Sequence, residues 1–125
     1  MNLKKYLKET FDEHGHKKSP RFSSNFKNFI IDIDGVICED IPNEEPERMK
    51  IASEIPGVKE KINKWYGQGH IITFFTSRTP SLKSVTENWL KEHGFKYHHI
   101  IYSKPRGGNY YYIDDGFVRA AKKFN

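Results

Sequence analysis

The chain has 125 residues, with 21 lysines and arginines against 16 aspartates and glutamates, a net charge of +5. That length suits one domain with a real core and excludes a catalytic domain joined to a large second one. The single cysteine, Cys38, excludes an internal disulfide and a cysteine-rich zinc site and suggests a reducing compartment, and no apolar run nears the roughly 20 residues of a membrane span.

The opening MNLKKYLKETF lacks the apolar stretch of a signal peptide, so a cytoplasmic location is expected. Residues 1–28 hold seven basic and three acidic side chains, whereas residues 29–125 hold 14 and 13, so the basic excess is local. Leu3, Tyr6, Leu7 and Phe11 recur at helical spacing with lysines between them, which predicts an amphipathic helix over residues 3–13. HGHKKSPRFSSN then reads as a basic, turn-like linker. Residues 1–27 are thus expected to form a basic helix-and-linker arm, and residues 28–125 the folded domain. The helix is expected to pack on the domain or on a second copy of the chain, giving a homo-oligomer. Its charge is modest and carries no aromatic-basic motif, so neither a nucleic-acid partner nor an anionic membrane surface is the first expectation.

FKNFIIDID is an apolar run ending in two aspartates and predicts a buried strand. Residues 36–55 carry no clear period, are partly acidic, and are long enough for a flap but not a folded cap domain. Pro56 opens a helix with Val58, Ile62 and Trp65 on one face, stopped by Gly67 and Gly69. HIITFF is a second buried strand. Thr79 and Pro80 open another helix, with Leu82, Val85, Trp89 and Leu90 as its apolar face and Gly94 as its stop. KYHHIIY is a third strand and YYYID a fourth. The order predicts an α/β fold, a Rossmann-like three-layer sandwich around a central, mostly parallel sheet, with no large cap domain.

The strand ends carry chemistry. The first ends Asp32-Ile33-Asp34-Gly35, the second Thr76-Ser77-Arg78, the fourth Asp114-Asp115-Gly116, and Ser103-Lys104 follow the third. Ligands bind at the carboxyl ends of parallel strands, so four acids, a lysine and one or two hydroxyls are expected to converge there. Asp32 and Asp34, two apart, point the same way on an extended chain, and Gly35 allows a sharp turn after them. Clustered carboxylates near a buried sheet need a cation, and oxygen-only donors favour Mg²⁺ with a phosphate as further ligand. Lys104 can neutralise a phosphoryl oxygen and Thr76 can donate to another, a layout suited to phosphoryl transfer with a carboxylate as a candidate nucleophile. Taken singly, each residue has a plainer role: Thr76 as a cap, Lys104 as a surface cation, Asp114-Asp115 before glycine as a turn. Their joint occurrence at successive strand ends carries the functional reading. Gly35, Ser77, Arg78 and Arg106 are candidate substrate contacts, and Gly107-Gly108-Asn109 either cradles an anion or makes a turn.

FIIDIDGVI, IITFFTSR, YSKP and YYIDDG resemble the four successive motifs of the haloacid dehalogenase-like hydrolases, over roughly residues 28–118. The likeness is greatest to small, capless phosphatases, including those linked to capsular polysaccharide synthesis. The resemblance implies a Mg²⁺-dependent phosphatase with Asp32 as nucleophile and Asp34 as general acid and then base. It implies that Thr76, or Ser77 in its place, and Lys104 hold the phosphoryl group. It further implies that Asp32, Asp34, Asp114 and Asp115 form the metal site. The expected substrate is a small phosphorylated metabolite such as a sugar phosphate. The alternatives are a nucleotide or polynucleotide-end phosphatase, or a module that binds Mg²⁺ or a phosphorylated ligand without turnover.

Overall fold

The computed structural model describes residues 7–124. Two strands, β1 (Leu7–Phe11) and β2 (Lys17–Phe22), form an antiparallel hairpin. Then follow β3 (Asn28–Ile31), a short helix α1 (Pro46–Lys50), α2 (Val58–Gly67), β4 (Ile71–Phe75), a 3₁₀ turn at Pro80–Leu82, α3 (Lys83–Glu92) and β5 (His99–Ile101). β3, β4 and β5 make a three-stranded parallel sheet in that order. The protein is therefore mixed α/β.

β4 is central because Ile71, Ile72 and Phe74 are buried and Thr73 almost so, which a strand flanked on both edges and covered on both faces requires. The register pairs Phe29 with Ile72 and Ile31 with Phe74, so these four share one face of the sheet. That face meets Ile62 and Trp65 of α2 and Trp89 and Leu90 of α3 in one apolar cluster. Phe29 stacks flat on Trp65 with centroids 3.9 Å apart, and Trp65 stacks on Phe124 at 5.6 Å. On the opposite face Ile71 and Thr73 are covered, while Ile30 and Ile101 stand half exposed on the outer strands. Both α2 and α3 gather on the first face among the described residues, so the mixed α/β class with a parallel sheet is shown and a three-layer sandwich is not.

The chain turns from α2 into β4 at Gly69, whose φ is +93°. A Cβ there would sit 3.0 Å from the Phe26 ring. Gly69→Ala is expected to cost about 1–2 kcal/mol, the usual penalty for a left-handed non-glycine residue, read as a lower urea midpoint. An unchanged midpoint would contradict the tightness of this turn.

Three expectations are corrected. Residues 7–11 of the expected helix form β1 instead, and residues 3–6 lie outside the described residues. Leu7 and Phe11 lie four apart, which fits a helical face and equally an odd-numbered strand face, so this short segment is ambiguous by spacing alone. The DEHGH turn decides it: Asp12 Oδ1 accepts from His14 N at 2.8 Å and His16 N at 2.9 Å, and Gly15 takes φ +79°. That Asx turn sends the expected linker back as β2.

The YYYID segment is not a strand. Gly107, Gly108 and Asn109 all have positive φ, turning the chain, and Tyr110 Oη then donates to Pro105 O. The segment reaches no sheet edge, and Ile113 is 93% exposed.

Residues 36–55 are no loose flap. Glu39 N donates to Ser53 O at 3.0 Å and Ile55 N to Ile37 O at 3.0 Å, and Ile37, Cys38, Ile41, Met49 and Ala52 are core residues. Trp89 Nε1 closes the packing by donating to Ala52 O at 3.0 Å.

Candidate functional site

The carboxyl ends of β3, β4 and β5 lie at one end of the parallel sheet, as parallel pairing requires. The β4–β5 pairing continues past the strands: Thr76 N donates to Ile101 O at 2.9 Å, Ser103 N to Arg78 O at 2.8 Å and Lys104 N to Thr76 O at 2.9 Å. These bonds carry Lys104 to the end of β3. There its Nζ lies 3.1 Å from Asp32 Oδ1, with the lysine nearly buried and the aspartate 38% exposed. The ammonium also faces the rings of Phe75 at 5.7 Å and Tyr110 at 5.0 Å, which hold it in place. The same Oδ1 accepts from Ile33 N at 2.8 Å, and Asp32 Oδ2 has no hydrogen-bond partner among the described residues. One oxygen of the carboxylate is therefore anchored and the other is available.

Asp32 opens into a cavity of about 350 Å³. Asp34, Asp40, Ile41, Pro42 and Asn43 line one part of it, and Ser77, Lys104, Arg106, Gly107, Gly108 and Tyr110 the rest. Asn43 Nδ2 donates to Ser77 O at 2.9 Å, tying residues 40–44 over the end of β4. At the mouth, Arg106 Nη1 meets Glu44 Oε1 at 2.8 Å, and that guanidinium holds the Glu44 carboxyl below the usual carboxylate range. Gly35 has φ +81° and its N donates to Cys38 O at 2.9 Å, the sharp turn expected after Asp34.

Arg78 is placed differently from expectation. It is 2% exposed and does not line the cavity. Its guanidinium forks onto Asp34, Nε to Oδ2 at 3.0 Å and Nη2 to Oδ1 at 2.8 Å, and Nη1 donates to Thr86 Oγ1 at 3.0 Å. Arg78 holds Asp34 rather than facing a ligand. Nothing in the sequence marks that pairing, which spans 44 positions. Thr76 is also fully buried, and its Oγ1 accepts from Arg78 N at 3.1 Å. Ser77, not Thr76, reaches the cavity. Cys38 beside them is inert: burial, then the Asp34 charge, push its thiol up to about 12.

Asp114 and Asp115 are not gathered with Asp32 and Asp34. Asp114 Oδ1 accepts from Gly116 N at 2.8 Å, which makes a turn and holds that carboxyl below the usual range. Asp115 pairs with Arg21 at 3.2 Å. Among the described residues no group of three or more His, Cys, Asp or Glu is arranged to hold a metal ion. With Asp34 occupied by Arg78 and the other two acids elsewhere, the four expected donors do not fit a magnesium ion as a set in this arrangement. Sequence reading passed over Asp40, Asn43 and Tyr110 as wall residues. They lie in loops without a motif, and only the folding of those loops brings them in. No helix among the described residues is long and apolar enough to cross a membrane.

The sequence matches no family model and no curated protein. Solved structures do match. A crystal structure of a target from Vibrio cholerae superposes with a TM-score of 0.54 at 22% identity, covering 74% of this chain and 83% of that one. A chain in the structure of a Pnkp1/Rnl/Hen1 complex gives 0.56 at 20% identity over 71% of this chain, and one in the Pnkp1/Rnl/Hen1 RNA repair complex gives 0.55 at 19% over 69%. This chain shares their fold. It spans 30% and 27% of the latter two chains, so the likeness there is to one part of a larger protein.

Proposed function

We propose that this chain hydrolyses phosphomonoesters through an aspartyl phosphate on Asp32, acting on a small phosphorylated metabolite such as a sugar phosphate. The carrying observation is Asp32 at the end of β3, with Oδ1 anchored by Lys104 at 3.1 Å and Oδ2 left available beside the cavity. In the first step Oδ2 attacks phosphorus, the bond from phosphorus to the leaving alcohol breaks, and Asp34 gives that oxygen a proton. In the second, water attacks the phosphorus of the acyl phosphate, Asp34 takes the proton back, and Asp32 departs as a carboxylate from inorganic phosphate. Lys104 neutralises phosphoryl oxygens throughout, and the Ser77 hydroxyl takes the part that Thr76 cannot reach. Both oxygens of Asp34 accept from Arg78, so it starts as a carboxylate: one of those bonds has to open and that oxygen has to take a proton from solvent before Asp34 can protonate the leaving oxygen.

The resemblance of FIIDIDGVI, TSR and YSKP to haloacid dehalogenase-like phosphatases supports the same chemistry. Magnesium belongs to that resemblance and enters no step here. A second reading is favoured by the fold shared with a chain of an RNA repair complex: the phosphomonoester is then the end of a polynucleotide.

The test is turnover of an aryl phosphate, of a phosphometabolite panel and of end-phosphorylated oligonucleotides, each with Mg²⁺ and with a chelator. Hydrolysis of the aryl phosphate is expected, and the preferred member of the panel separates the two readings. A folded protein that turns over none of them under either condition would be a phospho-ligand binding module instead.

A further inference from the structure

The hairpin of β1 and β2 sorts its charges by face. Lys8 pairs directly with Arg21 and Thr10 with Lys18, so these four side chains lie on one face. The ladder slips between the two pairs, three residues of β2 spanning two of β1, and this irregularity keeps Lys18 and Arg21 on the same side. The hairpin's acids are elsewhere. Glu9 lies on the opposite face, 3.3 Å from Lys17, Asp12 caps the turn, and Glu13 sits beside His14 at 3.5 Å. Lys8 and Lys18 have no acidic partner among the described residues. Two cations directly opposite each other disfavour the hairpin, and a lone hairpin is marginal to begin with. An anion running along the face reverses that cost.

The apolar side chains narrow the choice of anion. Leu7 and Phe11 lie on the other face, Phe11 being 55% exposed. A ribbon on a lipid surface would bury that face and hold its cations away from the headgroups. A flexible polyanion can instead follow the cations on the face that carries them, without burying Leu7 and Phe11. The hairpin is also fastened to the segment that follows the cavity wall in the chain. Arg21 Nη2 pairs with Asp115 Oδ2 at 3.2 Å, and Asp115 closes the segment that begins with Tyr110 in the cavity wall.

We propose that the hairpin face bearing Lys8 and Lys18 binds the backbone of single-stranded RNA and leads its phosphorylated end to the Asp32 cavity. This inference rests on the polynucleotide reading above. The test uses the full chain and a fluorescent single-stranded oligoribonucleotide without a terminal phosphate, read by anisotropy, so that binding is measured apart from hydrolysis. Affinity is expected to fall with salt with a log–log slope of about −1.4, as two neutralised phosphates on a single strand give. Lys8→Glu combined with Lys18→Glu is expected to weaken binding by at least about 10-fold at low salt and to leave aryl phosphate turnover unchanged. No binding at 50 mM salt (about the low end of the useful range), or equal binding by the double variant, overturns the proposal. Capture of the protein by phosphatidylserine vesicles but not by RNA overturns it in favour of a membrane surface. Loss of aryl phosphate turnover in an Asp32 variant that still binds RNA separates failure of the site from failure of this surface.

Discussion

Asp32→Asn is expected to lower aryl phosphate turnover by about a thousand-fold or more while the fold is retained, as removal of a covalent nucleophile does. The amide keeps the geometry. Its Oδ1 still accepts from Ile33 N, and Lys104 stays wedged between the rings of Phe75 and Tyr110. What it loses is the negative charge on the oxygen that faces the cavity. Asp32 is partly exposed but Lys104 is nearly buried and loses its anionic partner, so a modest loss of about 1–2 kcal/mol is expected, far too small to unfold the protein. Activity and melting temperature must be measured on the same sample. An asparagine variant with near-normal turnover would falsify the nucleophile assignment. Lys104→Met separates the two halves of the pair, since it removes the phosphoryl contact but leaves the nucleophile, and it should be less damaging than Asp32→Asn.

Arg78→Met is expected to cost about 3–5 kcal/mol of stability, because it strands Asp34 without its counterion in a nearly enclosed site. For a domain of this size that lowers the melting temperature by roughly 10–20 °C. The loss has a second part: Thr86 Oγ1, itself buried, loses the Nη1 donor. Arg78→Lys should rescue little, since one ammonium cannot reproduce a fork onto both carboxylate oxygens and a third bond to Thr86. Adding Asp34→Asn to Arg78→Met should recover part of the loss, because the orphaned charge is then gone. Thermal and urea melts of the single and double variants read this coupling directly. A melting temperature for Arg78→Met within a few degrees of the parent would show that Arg78 does not hold Asp34 in solution.

The elements legible in the sequence were those whose period and punctuation agree. β3 and β4 are short apolar runs bounded by polar residues. α2 and α3 have apolar faces at helical spacing and glycines near their ends. The expected meeting of strand ends holds for Asp32, Ser77 and Lys104, because parallel strands of one sheet must place their carboxyl ends together. Two elements misled for one physical reason. Over five residues the spacings of a helix and a strand overlap, so Leu7 and Phe11 decided nothing until the Asp12 turn closed a ladder. YYYID has strand composition, yet a strand also needs an edge to pair with, and three left-handed residues before it turn the chain elsewhere.

The sequence by itself determined the alternation of strands and helices from β3 to β5, the acidic end of β3, the basic character of the first 28 residues and a lysine following the third strand of that sheet. These are local properties, written in composition and spacing along one stretch of chain. Only the tertiary structure decided that Arg78 turns inward to Asp34, that Ser77 rather than Thr76 faces the cavity, and that Asp114 and Asp115 stay apart from the other acids. It also decided that the basic segment is a two-faced ribbon. Each of these depends on which distant residue supplies a buried group with its partner, and burial and pairing are settled only when segments tens of residues apart pack against one another.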